Sequence, residues 1–379
     1  MLVKRGAFLS LLAIAAIACG ARTGLDSSNA LDASATSGGG TVTGLLAISA
    51  GRSHTCALRS DGTVVCWGSD SVGQLGNGTS NDLTNDPVTV SNLTDAIAVT
   101  AGPDFTCAIR SGGTIVCWGS DTLGYLAPGP THPSLVPATV DGVASATAVA
   151  AGLGSTCALI SGGTVTCWST LAGPVVPTAV PTLNGASAIG TSGDYTCGLL
   201  PGGTVSCLDG TRSTPGTTTR IPSVEGATAI TVATAAPDEG SLPSSQSALG
   251  CAIVHGGGQG FADCWSEGYG GPPPTTTIVP GVRATAVSTS GPHTCALLED
   301  TTVACWGSNE FGQLGDGTTN DSASPVPVAN LSGVTAVATG WYHTCALLAD
   351  GTGACWGNNQ TRGADGGVTN ATTPVTVEF

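Results

Sequence analysis

Pairs of cysteines ten residues apart recur along the chain and constrain its fold more than any other feature. In the segment HTCALRSDGTVVCWG (54–68), two short runs of β-forming residues flank an Asp-Gly turn signal, which predicts a β-hairpin. The same pattern returns at 293–307 and 343–357. A unit of this size cannot bury a core alone, so the sequence indicates a repeat architecture in which each unit stacks against its neighbours.

The two cysteines of one hairpin are predicted to form a disulfide. If residues 60–62 form a three-residue turn with Gly62 in the left-handed region, counting outwards places Cys56 directly opposite Cys66. Residues opposed in this way lie about 4.5–5.5 Å apart at Cα, and a disulfide can span that distance. Zinc sites favour cysteines two to four residues apart, so the spacing argues against a metal site.

Fourteen of the fifteen cysteines fall into such pairs, and the first cysteines of successive pairs lie 40 to 54 residues apart. The chain therefore contains seven units of about fifty residues. The fifth pair encloses HGGGQG (255–260), which predicts a longer loop. The predicted disulfides are Cys56–Cys66, Cys107–Cys117, Cys157–Cys167, Cys197–Cys207, Cys251–Cys264, Cys295–Cys305 and Cys345–Cys355.

Two further elements complete each unit. An apolar run such as AIAVTAG (96–102) precedes a hairpin, and a Pro-Val segment such as PVTV (87–90) follows one, which predicts four strands per unit. A tryptophan follows the second cysteine in six of the seven units, and this constancy indicates a packing role. These tryptophans are Trp67, Trp118, Trp168, Trp265, Trp306 and Trp356.

The order of these motifs resembles the repeat of the regulator of chromosome condensation family. An apolar run, Ala-Gly, His-Thr, Cys-Ala-Leu, Asp-Gly-Thr, Trp-Gly and Gly-Gln-Leu-Gly follow one another best in units 1, 6 and 7. Units 4 and 5 are degenerate, and GQLG occurs only at 73–76 and 312–315. The resemblance covers residues 43–379 and implies an all-β fold, a seven-bladed β-propeller.

The way in which the ring closes is also predicted. The apolar run LLAIS (45–49) has no Pro-Val strand before it, and TPVTVEF (373–379) has no apolar run after it. We therefore expect the N-terminal strand segment to complete the last blade, which would remove an exposed sheet edge.

The first residues predict export. MLVKRGAFLSLLAIAAIAC combines Lys4 and Arg5 with an apolar stretch that ends in small residues, as secretory signals do. AIAC (16–19) resembles a bacterial lipobox, so residues 1–18 are predicted to be a lipoprotein signal peptide and Cys19 the lipidated mature N-terminus. An ordinary secretory signal with a chance cysteine is the alternative. The Ser-, Ala- and Gly-rich segment 19–42 is predicted to be a flexible tether.

The charge of the mature chain excludes one class of partner. Without residues 1–18 the chain carries eight arginines, no lysine and 25 acidic residues, a net charge of −17. Nucleic-acid binding depends on Lys and Arg that neutralise phosphates, so no nucleic-acid partner is expected. The founding activity of the resembled family, nucleotide exchange on a nuclear GTPase aided by chromatin binding, is not expected either, because chromatin attachment needs basic segments.

Few residues in the sequence are candidates for catalysis or for metal binding. His54, His293 and His343 share one repeat position and are interpreted as hydrogen-bonded structural residues, with a metal triad as the alternative. The other four units carry Phe105, Ser155, Tyr195 and Leu249 at this position. Phosphate-cradling loops with a lysine, nucleophile elbows and calcium loops are missing from the sequence. No catalytic residue, metal or cofactor is predicted.

Two regions are candidates for binding. Trp341 and Tyr342 lie together in a turn where other units carry small residues, and they are the candidate partner contact, with local packing as the alternative. The variable segments after each Trp-Gly, such as SDTLGYLAPGPTHPSL (120–135), are the candidate binding surface.

These features together predict a non-enzymatic, monomeric lipoprotein of the bacterial cell envelope. Its N-terminal lipid alone would hold it to a membrane, the outer membrane by the resemblance of Cys19-Gly20 to sorting signals, and its loop face would bind an unidentified protein. One alternative is a secreted glycan-binding or hydrolytic propeller, which requires converging carboxylates with shifted pKa values. Another is a guanine nucleotide exchange factor-like protein.

Overall fold

A computed structural model describes most of the repeat region. The described residues are 44–81, 83–121, 126, 133–169, 176–192, 195–209, 218–221, 224–234, 248–256, 258–267, 276–358 and 370–378. The predicted signal peptide, the predicted tether and Cys19 lie outside the described residues.

The described residues form 27 β-strands and one short 3-10 helix (Pro181–Leu183), so the fold is all-β as predicted. The strands are β1 (Leu45–Ala50), β2 (His54–Arg59), β3 (Val64–Ser69), β4 (Leu83–Thr89), β5 (Ala96–Ala101), β6 (Phe105–Arg110), β7 (Ile115–Gly119), β8 (Ser134–Thr139), β9 (Ala146–Ala151), β10 (Ser155–Ile160), β11 (Thr164–Ser169), β12 (Thr178–Ala179), β13 (Ala188–Ser192), β14 (Tyr195–Leu200), β15 (Thr204–Asp209), β16 (Thr218–Arg220), β17 (Ala227–Thr234), β18 (Ala248–Gly256), β19 (Gln259–Glu267), β20 (Thr276–Ser290), β21 (His293–Leu298), β22 (Val303–Gly307), β23 (Ser322–Pro327), β24 (Val334–Thr339), β25 (His343–Leu348), β26 (Gly353–Gly357) and β27 (Ala371–Val377).

Consecutive strands pair antiparallel in groups of four, and the described strands make the seven predicted blades. Blades 1 to 4 are β1–β4, β5–β8, β9–β12 and β13–β16, and blade 7 is β24–β27. Blades 5 and 6 share the long strand β20. The N-terminal part of β20 pairs with β19 and its C-terminal part with β21, so β17–β23 form one continuous sheet.

The central hairpin of each blade has the predicted register. In blade 1 the backbone N–H of Arg59 donates to the carbonyl of Thr63 at 2.9 Å, and Gly62 closes the turn with φ of 81°. Counting outwards from that bond places Cys56 and Cys66 at a narrow, non-hydrogen-bonded position. Disulfides join all seven predicted pairs, with Cα–Cα distances of 4.0–4.1 Å, slightly closer than predicted.

The hairpin of blade 5 differs from its prediction. Residues 255–260 were expected to form a longer loop, but His255 pairs with Gly260 and Gly256 pairs with Gln259. The extra residues therefore lengthen β18 and β19, because extending a ladder satisfies backbone groups that a loop would leave unpaired.

The Pro-Val segments form the outermost strands. A proline cannot donate a ladder hydrogen bond and is tolerated on an edge strand, where it hinders pairing with another sheet. The outer strands of five blades contain Pro87, Pro137, Pro280, Pro325 with Pro327, and Pro374.

The ring closes differently from the prediction. β1 pairs with β2 of its own blade, and β27 supplies the fourth strand of blade 7. The prediction that the N-terminal segment completes the last blade is therefore wrong, because each apolar run pairs with the hairpin that immediately follows it. β1 does lie beside blade 7: the N–H of Leu45 is 3.5 Å from the carbonyl of Gly351, and Ile48 and Trp67 pack against Leu347.

The propeller has two distinct faces. Loops between the first and second strands and between the third and fourth strands of a blade meet on one face, here called the loop face, where Ser69 N–H donates to Ser53 O at 2.8 Å. The hairpin turns meet the connections between blades on the other, the turn face, where Ala96 N–H donates to Gly62 O at 2.9 Å. Among the helices of the described residues, none has the length and apolar character needed to cross a membrane.

Candidate functional site

The repeated histidines hydrogen-bond from one blade to the next. Each histidine lies in the second strand of its blade, is at most 5% exposed, and contacts a threonine in the second strand of the following blade. The three pairs, with their Nε2–Oγ1 distances, are His54–Thr106 (2.9 Å), His293–Thr344 (2.7 Å) and His343–Thr55 (2.8 Å). The last pair joins blade 7 to blade 1. The interpretation of these histidines as structural residues is confirmed.

In two of the three contacts, those of His54 and His293, the threonine determines which ring nitrogen carries hydrogen. Thr106 Oγ1 donates to the carbonyl of Gln74 at 3.0 Å, so its hydroxyl hydrogen is used. Nε2 of His54 must therefore donate to Thr106 Oγ1, and Nδ1 is left as an acceptor. That Nδ1 atom is buried and makes no hydrogen bond to any described residue. Thr344 donates in the same way to the carbonyl of Gln313, at 2.9 Å.

The GQLG loops are sockets for a tryptophan of the next blade. Nε1 of Trp118 donates to the carbonyl of Gln74 at 2.9 Å, and Nε1 of Trp356 donates to Gln313 at the same distance. A Cβ atom on Gly76 would lie 2.5 Å from Nε1 of Trp118, so the last glycine of the motif leaves room for the indole. Five of the six repeat tryptophans are buried and the sixth is half-buried, which confirms their packing role.

A polar side chain at the start of each GQLG loop holds the loop in shape. Oδ1 of Asp70 accepts from the N–H of Leu75 at 3.1 Å. In blade 6 the equivalent residue is Asn309, whose Oδ1 accepts from the N–H of Leu314 at 2.9 Å and whose Nδ2 donates to Asp316 at 3.2 Å. These loops are therefore fixed by their own hydrogen bonds before any partner binds.

Burial controls the protonation of these groups. It lowers the pKa of His54 and His293 to about 3, with the nearby His343 adding to the effect, and lowers the pKa of His343 to about 4. All three are neutral near pH 7. Burial raises the pKa of Asp70 and Asp121, while hydrogen bonds from loop backbone act in the opposite direction. Both carboxylates serve the loop structure.

The hydrogen bonds of the three histidines also decide whether they could bind a metal ion together. The three histidines come from consecutive blades around the ring, but each uses Nε2 for a threonine. Within the part of the chain that the structure describes, no group of three or more His, Cys, Asp or Glu side chains could hold a metal ion.

The first strands of the blades surround the axis of the ring, and the loops after them form a mouth on the loop face. All seven blades contribute to its lining. The guanidinium of Arg52 lies 4.5 Å from the centroid of the Trp341 ring, within the range of a cation–π contact. The positive charge of Arg52 also opposes the rise that burial causes in the pKa of Asp104.

Trp341 and Tyr342 were predicted to be a candidate partner contact, with local packing as the alternative. Trp341 is only 6% exposed and its ring packs under Arg52 in the mouth, so the alternative of local packing describes this residue. Tyr342 is half-buried, with its ring centroid 5.2 Å from Phe311 and 6.3 Å from Trp341. A partner contact through Tyr342 remains a prediction.

Most of the candidate binding segment 120–135 lies outside the described residues.

Sequence reasoning missed Arg52, whose position in the repeat carries no recurring residue type. Its contact with Trp341 joins blades 1 and 7, and no local pattern could indicate it.

The repeats match family models. Models described as the regulator of chromosome condensation (RCC1) repeat match residues 61–109 and 302–347, and a second set with the same description matches 46–74, 96–124, 284–313 and 334–363. Among curated proteins, the chain is 32% identical over 83 residues to protein RCC2 homolog of Danio rerio, and 45% identical over 53 residues to the E3 ubiquitin-protein ligase HERC2 of Homo sapiens. The matches cover 22% and 14% of this chain but only 17% and 1% of those relatives.

Solved structures share the whole architecture. Prp20p from Saccharomyces cerevisiae is similar with a TM-score of 0.67 and 16% identity, over 89% of this chain and 87% of that one. Yeast RCC1 (Prp20) in its complex with Kap60 is similar with a TM-score of 0.50 and 16% identity, over 88% of this chain and 75% of that one. At this identity the likeness shows the fold alone.

Proposed function

Because the chain is a β-propeller built of regulator of chromosome condensation repeats, we propose that it is a non-enzymatic, lipid-anchored scaffold of a bacterial cell envelope that binds a protein partner through its loop face. The observation that carries the proposal is the fixed shape of the loops on that face. The loop of blade 1 is held by Asp70 and by the Gln74 contacts with blade 2, and the loop of blade 6 by Asn309 and the Gln313 contacts with blade 7.

A fixed loop face favours binding because little conformational entropy remains to be lost. Ordering a mobile loop or side chain on association opposes binding, and a preformed surface avoids that cost. The disulfide in each described blade restricts the strands from which these loops emerge. The chain thus combines a rigid frame with loops that differ from blade to blade, as recognition surfaces require.

Similar structures support a role in protein binding. The work on Prp20p concerns its binding to Gsp1p and histones, and the related structure contains Kap60 bound to yeast RCC1. Those partners belong to those proteins. For this chain we propose only the shared use of a propeller as a protein-binding scaffold.

Export and lipid anchoring rest on the sequence and on cysteine chemistry. Residues 1–18 have the pattern of a signal peptide, and Cys19 follows it in a lipobox-like context. The remaining fourteen cysteines all lie in disulfides, which persist in oxidising compartments outside the cytosol.

The non-enzymatic part of the proposal rests on what the buried polar groups do. His54, His293 and His343 bond to neighbouring blades, and the carboxylates of Asp70 and Asp121 accept hydrogen bonds from loop backbone. These five groups, which their perturbed pKa values would mark as candidate acids or bases, therefore have structural roles.

Site-specific photo-crosslinking in the producing cell tests the proposal. A photoreactive phenylalanine analogue replaces Thr319 on the loop face or Ala349 on the turn face. Both positions are exposed, and neither side chain makes a hydrogen bond to another described residue. We expect a discrete crosslinked protein from position 319 and none from position 349. Crosslinks of equal yield from both faces, or from the turn face alone, would contradict loop-face binding.

A further inference from the structure

The boundary between blades 7 and 1, here called the closure seam, differs from the other boundaries in the ring. Blade 1 comes first in the chain and blade 7 last, so no connection between consecutive strands crosses this seam. On the turn face, a backbone N–H near the start of a blade donates to a carbonyl in the hairpin turn of the preceding blade. The N–O distance is 2.8–3.0 Å at five other seams, but 3.5 Å between Leu45 and Gly351 at the closure seam.

A side-chain contact that crosses both neighbouring seams has no counterpart at the closure seam. Oγ of Ser49 accepts from the N–H of Ala101 in blade 2 at 2.9 Å, and Oγ of Ser288 accepts from the N–H of Thr339 in blade 7 at 3.0 Å. Blade 7 carries Ala338 at the repeat position of these serines, so it offers no hydroxyl to blade 1 there. At both of these described positions the closure seam is held less firmly than its neighbours.

Two contacts between side chains cross the closure seam at different depths. Nε2 of His343 lies 2.8 Å from Oγ1 of Thr55 inside the ring, and the guanidinium of Arg52 lies 4.5 Å from the centroid of the Trp341 ring at the mouth. The backbone N–H of Arg52 donates to the carbonyl of Pro103 in blade 2 at 3.2 Å, so Arg52 is tied to blade 2, whereas Trp341 belongs to blade 7. Separation of blades 7 and 1 would therefore break the stack and widen the mouth.

His343 makes the closure seam sensitive to acid. It is 5% exposed, and burial lowers its pKa to about 4, so the ring is neutral while the seam is closed. Of the strands packed around it, β1, β24 and β26 carry no acidic or basic side chain, β2 carries His54 and Arg59, and the loop after β1 carries Arg52. His293 in blade 6 is the other titratable group whose pKa His343 lowers. None of these groups is a carboxylate that could stabilise a protonated His343, so protonation is favoured where water reaches the ring.

We infer that the closure seam is a gate: the ring opens between blades 7 and 1, acid promotes this opening through His343, and the opening widens the mouth on the loop face. When the two blades separate, His343 meets water and regains its ordinary pKa of about 6.5. Because that pKa is about 4 in the closed ring, a fall from pH 7.5 to pH 5 should raise the open population by up to about 25-fold.

A buried thiol that reacts only when a seam opens measures the gate. Ile48→Cys places the thiol in the closure seam, and Ile189→Cys places it between blades 3 and 4, where Ser155 occupies the histidine position. Both isoleucines are 1% exposed and occupy the same repeat position. The mature chain in detergent is treated with a pyridyl disulfide reagent, and each rate is divided by the rate of the same variant in urea at the same pH. Peptide mapping checks that the native disulfides are retained.

The variants have distinct expected rates. At pH 7.5 Ile48→Cys should react about fivefold faster than Ile189→Cys, the effect of one hydrogen bond of about 1 kcal/mol. Between pH 7.5 and pH 5 the rate at position 48 should rise about 25-fold and the rate at position 189 should stay constant. His343→Gln should abolish the rise. Ala338→Ser supplies the hydroxyl present in blades 1 and 6 and should slow the reaction at position 48 about fivefold, whereas Ala150→Ser, the same change in blade 3, should not.

Other outcomes would overturn the gate. Equal rates at positions 48 and 189 contradict opening at the closure seam, and an acid-dependent rise at both positions indicates unfolding of the whole ring instead. A rise that survives His343→Gln contradicts the role of that histidine.

A second pair of variants covers the case in which Ile48→Cys does not fold, as judged by circular dichroism. Leu347→Cys in the closure seam is then compared with Leu199→Cys between blades 4 and 5, since both leucines are 4% exposed and share one repeat position. No partner is present in these measurements, so their failure leaves loop-face binding standing, and failure of crosslinking at position 319 leaves the gate standing.

Discussion

Gly76→Ala tests whether the GQLG loop is a socket for the tryptophan of the next blade. The new Cβ atom would lie 2.5 Å from Nε1 and 2.7 Å from Cδ1 of Trp118, so the indole must move. Gly78→Ala is the matched control. Gly78 has φ of 92°, in the same left-handed region as Gly76 (67°), but the nearest atom to its Cβ would be 3.9 Å away.

The two substitutions share one cost and differ in another. A residue with a Cβ in the left-handed conformation costs roughly 1–2 kcal/mol, and both variants incur it. Only Gly76→Ala also displaces Trp118, which weakens the hydrogen bond to Gln74 by about 1 kcal/mol and overpacks the socket by about 1–3 kcal/mol. We therefore expect Gly76→Ala to lower the free energy of unfolding by about 2–4 kcal/mol more than Gly78→Ala does.

Urea denaturation followed by far-ultraviolet circular dichroism measures both variants, with the disulfides intact. The same two substitutions are repeated in a Trp118→Leu background, where the smaller side chain leaves space beside position 76. There the costs of the two alanines should converge, which gives a coupling energy between positions 76 and 118. Equal destabilisation by both variants in the unmodified chain, or full additivity with Trp118→Leu, would refute the socket.

Other consequences concern pH and the disulfides. The free energy of unfolding should fall as the pH drops from about 6.5 to 5, because His54, His293 and His343 stay neutral in the folded chain while the same histidines bind protons in the unfolded chain. The slope of this fall should approach about 4 kcal/mol per pH unit. His343→Gln should reduce that slope by about a third in urea titrations between pH 5 and 7.5, and a slope unchanged by the substitution would argue against its burial as a neutral ring. Replacing both Cys345 and Cys355 by serine should cost about 2–3 kcal/mol in the same assay, and no loss of stability would contradict the contribution of that bridge. Under native conditions with dithiothreitol, the Cys157–Cys167 disulfide should be reduced before the Cys345–Cys355 disulfide, because Cys167 is half-buried whereas Cys345 and Cys355 are 0% exposed. Peptide mapping of alkylated cysteines measures the order of reduction. The reverse order would contradict the idea that burial protects the disulfides.

The hairpins, the disulfide pairing and the number of blades could be predicted because each depends on neighbours in the chain. Turn signals such as Asp61-Gly62 set the register locally, and that register decides which cysteines face each other. The tryptophan position repeats because each indole fills the same gap against the preceding blade, as Trp118 does against blade 1.

The mode of closure could not be predicted, because a periodic sequence contains no mark of where its unit begins. A unit counted from the hairpin and a unit counted from the apolar run have the same composition. Only the hydrogen bonds show that β1 belongs with β2, so that blades 1 and 7 meet by packing and by the His343–Thr55 contact.

The candidate site was harder to predict than the fold. Arg52, Trp341 and Asp104 come from three blades and meet only because the ring places blades 7, 1 and 2 side by side. The sequence could not decide between a partner contact and local packing for Trp341, because its neighbours in the sequence are turn residues and its burial comes from loops of other blades. The use of Gln74 as a shared acceptor for Thr106 and Trp118 likewise joins residues of two repeats.

Mass spectrometry of the protein extracted from membranes tests the central proposal, which is that the protein is an exported, disulfide-bonded and lipid-anchored scaffold. Free thiols are alkylated before reduction, and the N-terminal peptide is read in the same run. We expect an acylated Cys19 as the first residue and alkylation at none of the fourteen paired cysteines until the chain is reduced and denatured. Free thiols at those positions together with an unprocessed N-terminus would contradict export, and with it the envelope scaffold.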